Sequence, residues 1–277
     1  MPRFVAALIV SALIALTGSA QTFFLIDKAV DYTQTDTSTT SFNASIGHSL
    51  IAQVSDQSGT YNASNPATAP SVDDGSTTWN LTYNTDHSSW YYEATGIADE
   101  ATLDATYADT NYNFNFDGKT ATVAVANNLY SNVPVASMNT GSWSGGTFTV
   151  NASQALTISS NTFLTNYQEN SSRIEIRVEG DGNSFSQSAN NNNTGNSLSL
   201  NLNAFDLTSG NSYKVEIGFT RFDGSATMLS GTDTYGSFTT ITTFNMSAVP
   251  EPGTFAAIAG MFALAFATAR RRRSAIG

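Results

Sequence analysis

Apolar and polar residues alternate with a period of two along much of the chain. Neighbouring side chains of a strand point to opposite faces of its sheet, so this spacing predicts half-buried β-strands. Helical periodicity between the two ends of the chain is limited to residues 99–108, a short Thr-rich stretch equally compatible with a loop. We therefore expect an all-β domain built mainly from antiparallel strands. The alternating segments are residues 79–83, 112–116, 173–179, 198–202 and 213–219.

The clearest hairpin is expected around the Asp-Gly pair at residues 117–118, which suits the positive φ angles of a type I′ turn. A two-residue turn places Phe114 opposite Ala121. It places Asn113 opposite Thr122 on the other side of the hairpin. One face is then apolar and the other polar, as a half-buried sheet requires.

Residues 207–213 match the leucine, glycine and tyrosine spacing of a tyrosine corner, a feature of Greek-key sandwiches. Together with the strands, this spacing predicts an antiparallel two-sheet β-sandwich of jelly-roll type. Loops rich in Gly, Asn and Ser are expected at residues 57–77 and 180–196.

The N-terminal 20 residues have the organisation of an export signal. Arg3 precedes an apolar run over residues 4–16, and small residues follow at positions 18–20. The run is too short to cross a bilayer core of about 30 Å. We expect a signal helix that signal peptidase removes after Ala20.

The C-terminal end combines a Pro-Glu-Pro motif, an apolar segment and a basic cluster. Prolines disfavour both helix and sheet, so the motif at residues 249–253 is expected to be extended and accessible. Residues 254–269 carry no charge, and as a helix about 24 Å long they could cross a membrane with local thinning. By the positive-inside rule, the basic cluster stays in the cytoplasm and retains the chain in the membrane. It consists of Arg270, Arg271, Arg272 and Arg273.

This order of features resembles the PEP-CTERM sorting signal of Gram-negative bacteria, and the likeness is confined to residues 249–273. The resemblance implies that Pro250, Glu251 and Pro252 are recognised by an exosortase, which would be the second processing partner after signal peptidase. It further implies a transient inner-membrane intermediate and then transfer to the cell surface or extracellular matrix. A permanent single-span anchor is an alternative. A GPI signal is another, but its tail ends in the hydrophobic segment, whereas arginines follow here.

Three segments result. They are a signal peptide at residues 1–20, an extracellular β-domain at 21–247, and a sorting signal at 248–277 that contains the motif, a single transmembrane helix and the basic cluster at 270–273.

Composition excludes several classes of function. The 277 residues include no cysteine, so disulfides, thiolate metal sites and cysteine nucleophiles are ruled out. Five of the 11 basic residues and one of the 22 acidic residues lie in the terminal signals, which leaves 6 basic and 21 acidic residues in the body, or a net charge near −15. Such a surface repels phosphates, so nucleic acid is not an expected partner.

No arrangement typical of a catalytic site stands out, and we expect neither enzymatic activity nor a cofactor. His48 and His87 are the only histidines, and no Gly-x-Ser-x-Gly elbow accompanies them. The acidic residues at 93–109 could include a glycosidase pair, although a solvated acidic stretch is the simpler interpretation. Two Asp-rich turns, 73–75 and 181–183, offer oxygen ligands for Ca²⁺, yet turn formation alone explains them.

Two aromatic residues are candidate glycan contacts. In the run of residues 90–92, alternation means that Tyr91 is exposed if its two neighbours are buried. Trp143 lies in a Gly/Ser-rich turn. Packing in the core or at a sheet edge is the alternative for both residues.

The function expected from the sequence is a non-enzymatic structural or adhesive role in a surface or biofilm-matrix protein associated with exopolysaccharide. A carbohydrate-binding module is the alternative, which exposed aromatics on one sheet face would favour. A glycan-cleaving enzyme is a third interpretation, which two carboxylates about 5 to 9.5 Å apart in a cleft would favour.

Overall fold

The structure is a computed structural model that describes residues 22–56, 69–85, 88–125, 130–163, 172–190, 196–223 and 232–251, together with helical backbone at residues 261, 262 and 264. The expected signal helix lies outside the described residues, as does nearly all of the expected transmembrane helix. Within the described residues, none of the helices has the length and apolar character needed to cross a membrane.

The described chain is mostly β-structure. Its strands are β1 (Thr22–Gln34), β2 (Thr40–Phe42), β3 (His48–Asp56), β4 (Ser71–Asp73), β5 (Thr78–Asn80), β6 (Thr82–Asn84), β7 (Ser89–Ile97), β8 (Asn111–Phe116), β9 (Lys119–Ala124), β10 (Ala136–Met138), β11 (Ser142–Ser144), β12 (Thr147–Asn151), β13 (Leu156–Ser160), β14 (Ser172–Gly180), β15 (Asn183–Asn190), β16 (Ser199–Leu202), β17 (Ser212–Asp223) and β18 (Thr232–Val249), and helix α1 is Glu100–Thr106.

One large sheet of 11 strands organises the domain, in the order β15-β14-β17-β18-β1-β3-β7-β6. β2 pairs with β1, and the β11–β12 hairpin joins the sheet where β12 pairs with β18. β1 and β18 are parallel from Thr22 opposite Thr232 to Thr33 opposite Thr243, and β12 is also parallel to β18. The strand pairings are otherwise antiparallel, as expected, but the first and last strands run side by side in the same direction.

Two smaller sheets pack on one face of the large sheet, so the described residues form three sheets in a sandwich-like arrangement and not the two sheets expected. The sheet β5-β4-β8-β9 covers β1, β3 and β7. The sheet β10-β13-β16 covers β14, β17 and the end of β18. The first core includes Phe24, Leu50, Val54, Trp90, Phe114, Phe116 and Phe238, and the second includes Ile158, Ile176, Leu202, Ile217, Phe244 and Met246.

The hairpin formed by β8 and β9 has the predicted register. Its turn residues 117–118 have φ angles of 50° and 75°, and Phe114 lies opposite Ala121. On the solvent side, the Thr122 hydroxyl donates to the Asn113 side chain at 3.0 Å. Alternate residues of β8 are buried, so the apolar face forms the inner surface of its small sheet.

The tyrosine corner is also confirmed. The Tyr213 hydroxyl accepts a hydrogen bond of 2.6 Å from the backbone N–H of Thr208. Tyr213 is 2% exposed and packs with Leu207 in the second core. The corner therefore fixes the path by which the chain enters β17.

The strand expected at residues 79–83 is two strands, β5 and β6, which belong to different sheets. Leu81 lies buried between them, with its N–H donating to the carbonyl of Pro70 at 2.9 Å. Trp79 and Tyr83 pack against the same core on either side of this bend. The alternation continues through the bend, so it did not reveal the change of sheet.

The loops expected at 57–77 and 180–196 each contain a strand. β4 occupies part of the first, and β15 pairs with β14 in the second through a turn at residues 181–182 with φ angles of 54° and 72°. β15 is a Ser-rich edge strand without apolar alternation, so backbone pairing and not burial makes it a strand. Residues 57–68 and 191–195 lie outside the described part.

Charged residues form a ladder on the opposite face of β14. Glu175 is 4% exposed and accepts from Arg173 at 2.6 Å and from Arg177 at 3.4 Å. Burial raises the pKa of Glu175 despite the two arginines, and burial also lowers the pKa of Arg173. Desolvation therefore offsets much of the attraction, and the ladder orients side chains more than it stabilises the fold.

Replacing Tyr213 with Phe should lower the free energy of unfolding by about 1 kcal/mol, because the Thr208 N–H loses its acceptor while packing is retained. Urea unfolding measures the change. Tyr83→Phe is the control, since the Tyr83 ring packs on Trp90 but its hydroxyl makes no hydrogen bond among the described residues. Equal effects of the two substitutions would show that the corner contributes no specific stability.

Candidate functional site

The expected sorting motif begins where β18 ends. The Val249 carbonyl accepts from the N–H of Ala152 at 2.9 Å, which is the last pairing of β18 with the end of β12. Pro250 is partly exposed and Glu251 is exposed, and neither belongs to a strand or helix. Pro252 and the four arginines lie outside the described residues, so the motif and the retention cluster stay predictions.

The described strands lie between Thr22 and Val249. β1 begins two positions after Ala20, the expected site of signal peptidase cleavage. Removal of the chain after the Pro-Glu-Pro motif would therefore take away no described strand and no residue of the two main cores.

The expectation that Tyr91 is exposed was wrong. Its two neighbours do face the first core, but Tyr91 is only 9% exposed on the other side of β7. There it packs with Ala29, Ile51 and Ile241. Burial raises the pKa of its hydroxyl well above the usual value. Both faces of the sheet are buried at this point, so the Tyr91 ring is not accessible for stacking on a sugar.

Trp143 is partly exposed and borders a pocket. It lies on β11, which forms a hairpin with β12 across residues 145–146 at φ angles of 57° and 78°. The indole packs against Phe148 and Phe244, with ring centroids 5.5 and 5.1 Å away. Its Nε1 is buried without a hydrogen-bond partner among the described residues, and Trp143 is one of the residues that line the pocket.

The pocket has a volume of about 540 Å³. Trp143, Phe148 and Met138 supply apolar walls, whereas Asp36, Thr37 and Ser137 supply a carboxylate and hydroxyls. Gly141 also lines it with φ at 103°, and a Cβ there would lie 2.5 Å from the Phe148 ring. Glycine is therefore required where the chain passes over Phe148.

Gln34 holds the walls of the pocket together. Its fully buried side chain donates to the carbonyls of Asp36 at 2.8 Å and Ala136 at 2.9 Å, and it accepts from the Ala136 N–H at 2.8 Å. The Asp36 carboxylate accepts from the N–H groups of Ser38 at 2.8 Å and Thr39 at 2.7 Å. These bonds lower the pKa of Asp36, which keeps it ionised at neutral pH, and they use Oδ1.

His48 packs between aromatic rings. Its ring centroid lies 5.5 Å from that of Phe42 and 6.2 Å from that of Tyr130. Burial lowers the pKa of His48, so the imidazole is neutral at pH 7. His87 lies outside the described residues.

Three of the carboxylates at 93–109 have structural contacts. The Lys28 ammonium, fully buried, donates to Asp104 at 2.7 Å and to Asp109 at 2.5 Å. The Asp99 carboxylate caps α1 by accepting from the Thr102 N–H at 2.8 Å. This acidic segment therefore attaches α1 to the large sheet.

The two Asp-rich turns are explained by their own hydrogen bonds and backbone angles. Asp74 accepts from the N–H groups of Ser76 at 2.9 Å and Thr77 at 2.8 Å. The turn at residues 181–182 closes the β14–β15 hairpin. Within the described residues, no group of three or more His, Cys, Asp or Glu side chains is placed to hold a metal ion.

Comparison with known proteins identifies no family for this chain. No family model matches the chain, and no curated protein does. A solved structure described as "Structural insight into host cell surface retention of a 1.5-MDa bacterial ice-binding adhesin" matches at 12% identity, over 85% of this chain and 67% of that chain, with a TM-score of 0.27. A likeness this weak carries no argument about function.

Replacing Glu100 with Gln should stabilise the fold at about pH 7 and change stability little at about pH 3. Burial, followed by repulsion from Asp104 and Asp109, raises the pKa of Glu100 in the folded state. An acid with a raised folded pKa opposes folding once it ionises, so its cost appears as pH rises through that value. Thermal unfolding at the two pH values measures the difference.

Glu251→Gln is the control for this substitution, because Glu251 is exposed outside the sheet. Equal stabilisation by Glu100→Gln at both pH values would contradict the electrostatic explanation.

Proposed function

We propose that this protein is exported, held briefly in the inner membrane by its tail, and released by an exosortase to the cell surface or extracellular matrix. There its β-sandwich has a structural or adhesive role that is not enzymatic. The observation that carries the proposal is the order of features at residues 249–273, namely a Pro-Glu-Pro motif, an uncharged apolar segment and four arginines. The first 20 residues have the organisation expected of an export signal.

The position of the motif relative to the fold supports this proposal. β18 ends at Val249, and the next two residues lie outside the sheet, with Glu251 exposed. A processing enzyme at the outer face of the inner membrane needs an extended substrate segment that is not hydrogen-bonded into a sheet, and prolines favour such a segment. The folded body therefore leaves Glu251 accessible.

The surface of the body supports an extracellular role. Only 12% of the whole chain is charged, and hydroxyl and amide side chains supply much of its polarity. Several buried charged groups are engaged in the fold itself, as Lys28 is with Asp104 and Asp109. A carbohydrate-binding role is the second candidate, and the mixed pocket beside Trp143 favours it.

Replacing Pro250, Glu251 and Pro252 together with Ala should keep the tail attached. Intact mass and fractionation of the protein from its own cells measure this. The wild-type protein should be released as a chain that begins at Gln21 and lacks everything beyond about Pro252. The variant should stay in the membrane fraction with its four arginines.

Ser197→Ala is the control, since Ser197 is exposed and far from the motif in sequence. It should be processed like wild type. Full-length membrane-bound protein from Gln21 onward in both wild type and triple variant would mean that the tail is a permanent anchor.

A further inference from the structure

The pocket beside Trp143 combines a flat aromatic surface with hydroxyl-binding groups. Trp143 is held in place by Phe148 and Phe244, so its orientation costs little further entropy when a ligand binds. The face of an aromatic ring is electron-rich. The C–H bonds on one face of a pyranose carry partial positive charge, so that sugar face can stack on the indole.

The polar side of the pocket suits sugar hydroxyls. The Asp36 carboxylate accepts through Oδ1 from the N–H groups of Ser38 and Thr39, and these bonds lower its pKa, so it is ionised. A carboxylate has about four lone-pair sites, so it can accept a further hydrogen bond from a ligand hydroxyl. A hydrogen bond to an ionised acceptor is about twice as strong as a neutral one. Thr37 and Ser137 also line the pocket and are exposed. The Thr37 hydroxyl can both donate and accept, and the Ser137 hydroxyl, which donates to the Ser159 carbonyl at 3.4 Å, can accept.

The walls of the pocket are connected to one another although they come from separate parts of the chain. Gln34 links the loop that carries Asp36 to β10, and β10 carries Ser137 and Met138. The β11–β12 hairpin that carries Trp143 is paired with β18 in the large sheet. The acidic and aromatic walls are therefore each tied into the fold by hydrogen bonds.

Size and charge narrow the class of ligand. A volume of about 540 Å³ lies within the range of small-molecule sites, which is roughly 300 to 1,000 Å³. The ionised Asp36 and a body with net charge near −15 repel carboxylated or sulfated sugars. An uncharged sugar avoids this repulsion, and its hydroxyls can still donate hydrogen bonds to Asp36.

From these observations we propose that the pocket formed by Trp143, Phe148, Met138, Asp36, Thr37 and Ser137 binds a neutral sugar unit of a polysaccharide. The sugar stacks on Trp143, and one of its hydroxyls donates a hydrogen bond to the Asp36 carboxylate. This inference deepens the proposed adhesive role and rests on it for the biological setting, but not for the binding itself.

The test is isothermal titration calorimetry on the full chain purified in detergent. The probes are neutral tetrasaccharides of glucose, mannose and galactose, with tetragalacturonate as the charged comparison. At least one neutral probe should bind, and tetragalacturonate should bind at least about tenfold more weakly. Asp36→Asn should lower the affinity for the neutral probe by about tenfold, because the charge-assisted hydrogen bond is lost.

Trp143→Ala should abolish binding, and Trp79→Ala is its matched control. Trp79 is also a partly buried tryptophan, but it packs in the other core against Tyr92, Tyr107 and Tyr112. Ser137→Trp is the second variant, because a bulky group at this exposed position fills the pocket without opening a core. It should abolish binding even if Trp143→Ala fails to fold.

Three results would overturn the inference. They are no binding of any neutral probe, binding that survives Ser137→Trp, and binding of tetragalacturonate as tight as that of the neutral probes. None of them bears on exosortase processing, which is read from the mass of the tail. Failure of the pocket and failure of the sorting proposal are therefore distinguishable.

Discussion

The pairing of β1 with β18 is the constraint on which the rest of the fold depends. Asp27 accepts from the hydroxyls of Ser237 at 2.6 Å and Thr239 at 2.8 Å, all three fully buried. A slip of one residue would turn Asp27 into the first core and break both bonds, so these contacts fix the register. β18 supplies Phe238 to the first core and Met246 to the second, and the same register therefore positions both small sheets.

The pocket beside Trp143 follows from this arrangement. β12 lies against the C-terminal half of β18, and β2 lies against the end of β1. The loop after β1 therefore passes close to the β11–β12 hairpin, and Gln34 joins that loop to β10. A site for a small molecule thus forms where the large sheet meets the three-stranded sheet, in line with the tendency of such sites to lie between packed units.

Local features of the fold were predictable from the sequence, and distant pairings were not. The turn at residues 117–118 and the tyrosine corner at residues 207–213 are each encoded by a few neighbouring residues, so both could be predicted. The parallel pairing joins residues more than 200 positions apart, and no local pattern indicates it. Alternation correctly predicted which residues of β7 face the first core. It did not predict the burial of Tyr91, because the residues that pack against it come from distant parts of the chain. Trp143 was predicted as a glycan contact because it lies in a Gly/Ser-rich segment. Asp36 was not predicted, because its place in the pocket depends on the hydrogen bonds by which Gln34 joins its loop to β10.

Under the proposed export, the place of β18 in the chain sets the order in which the large sheet is completed. A secreted polypeptide threads through the translocation channel from its N-terminus, so β1, β3, β14 and β17 emerge before β18. Until residues 232–249 arrive, β1 and β17 each present an unpaired edge, which is a hazard for aggregation. The strand that fills this gap is followed at once by Pro250. Under the proposed sorting, closure of the sheet and delivery of the Pro-Glu-Pro motif to the outer face of the inner membrane are therefore nearly simultaneous, and a chain truncated before β18 could complete neither.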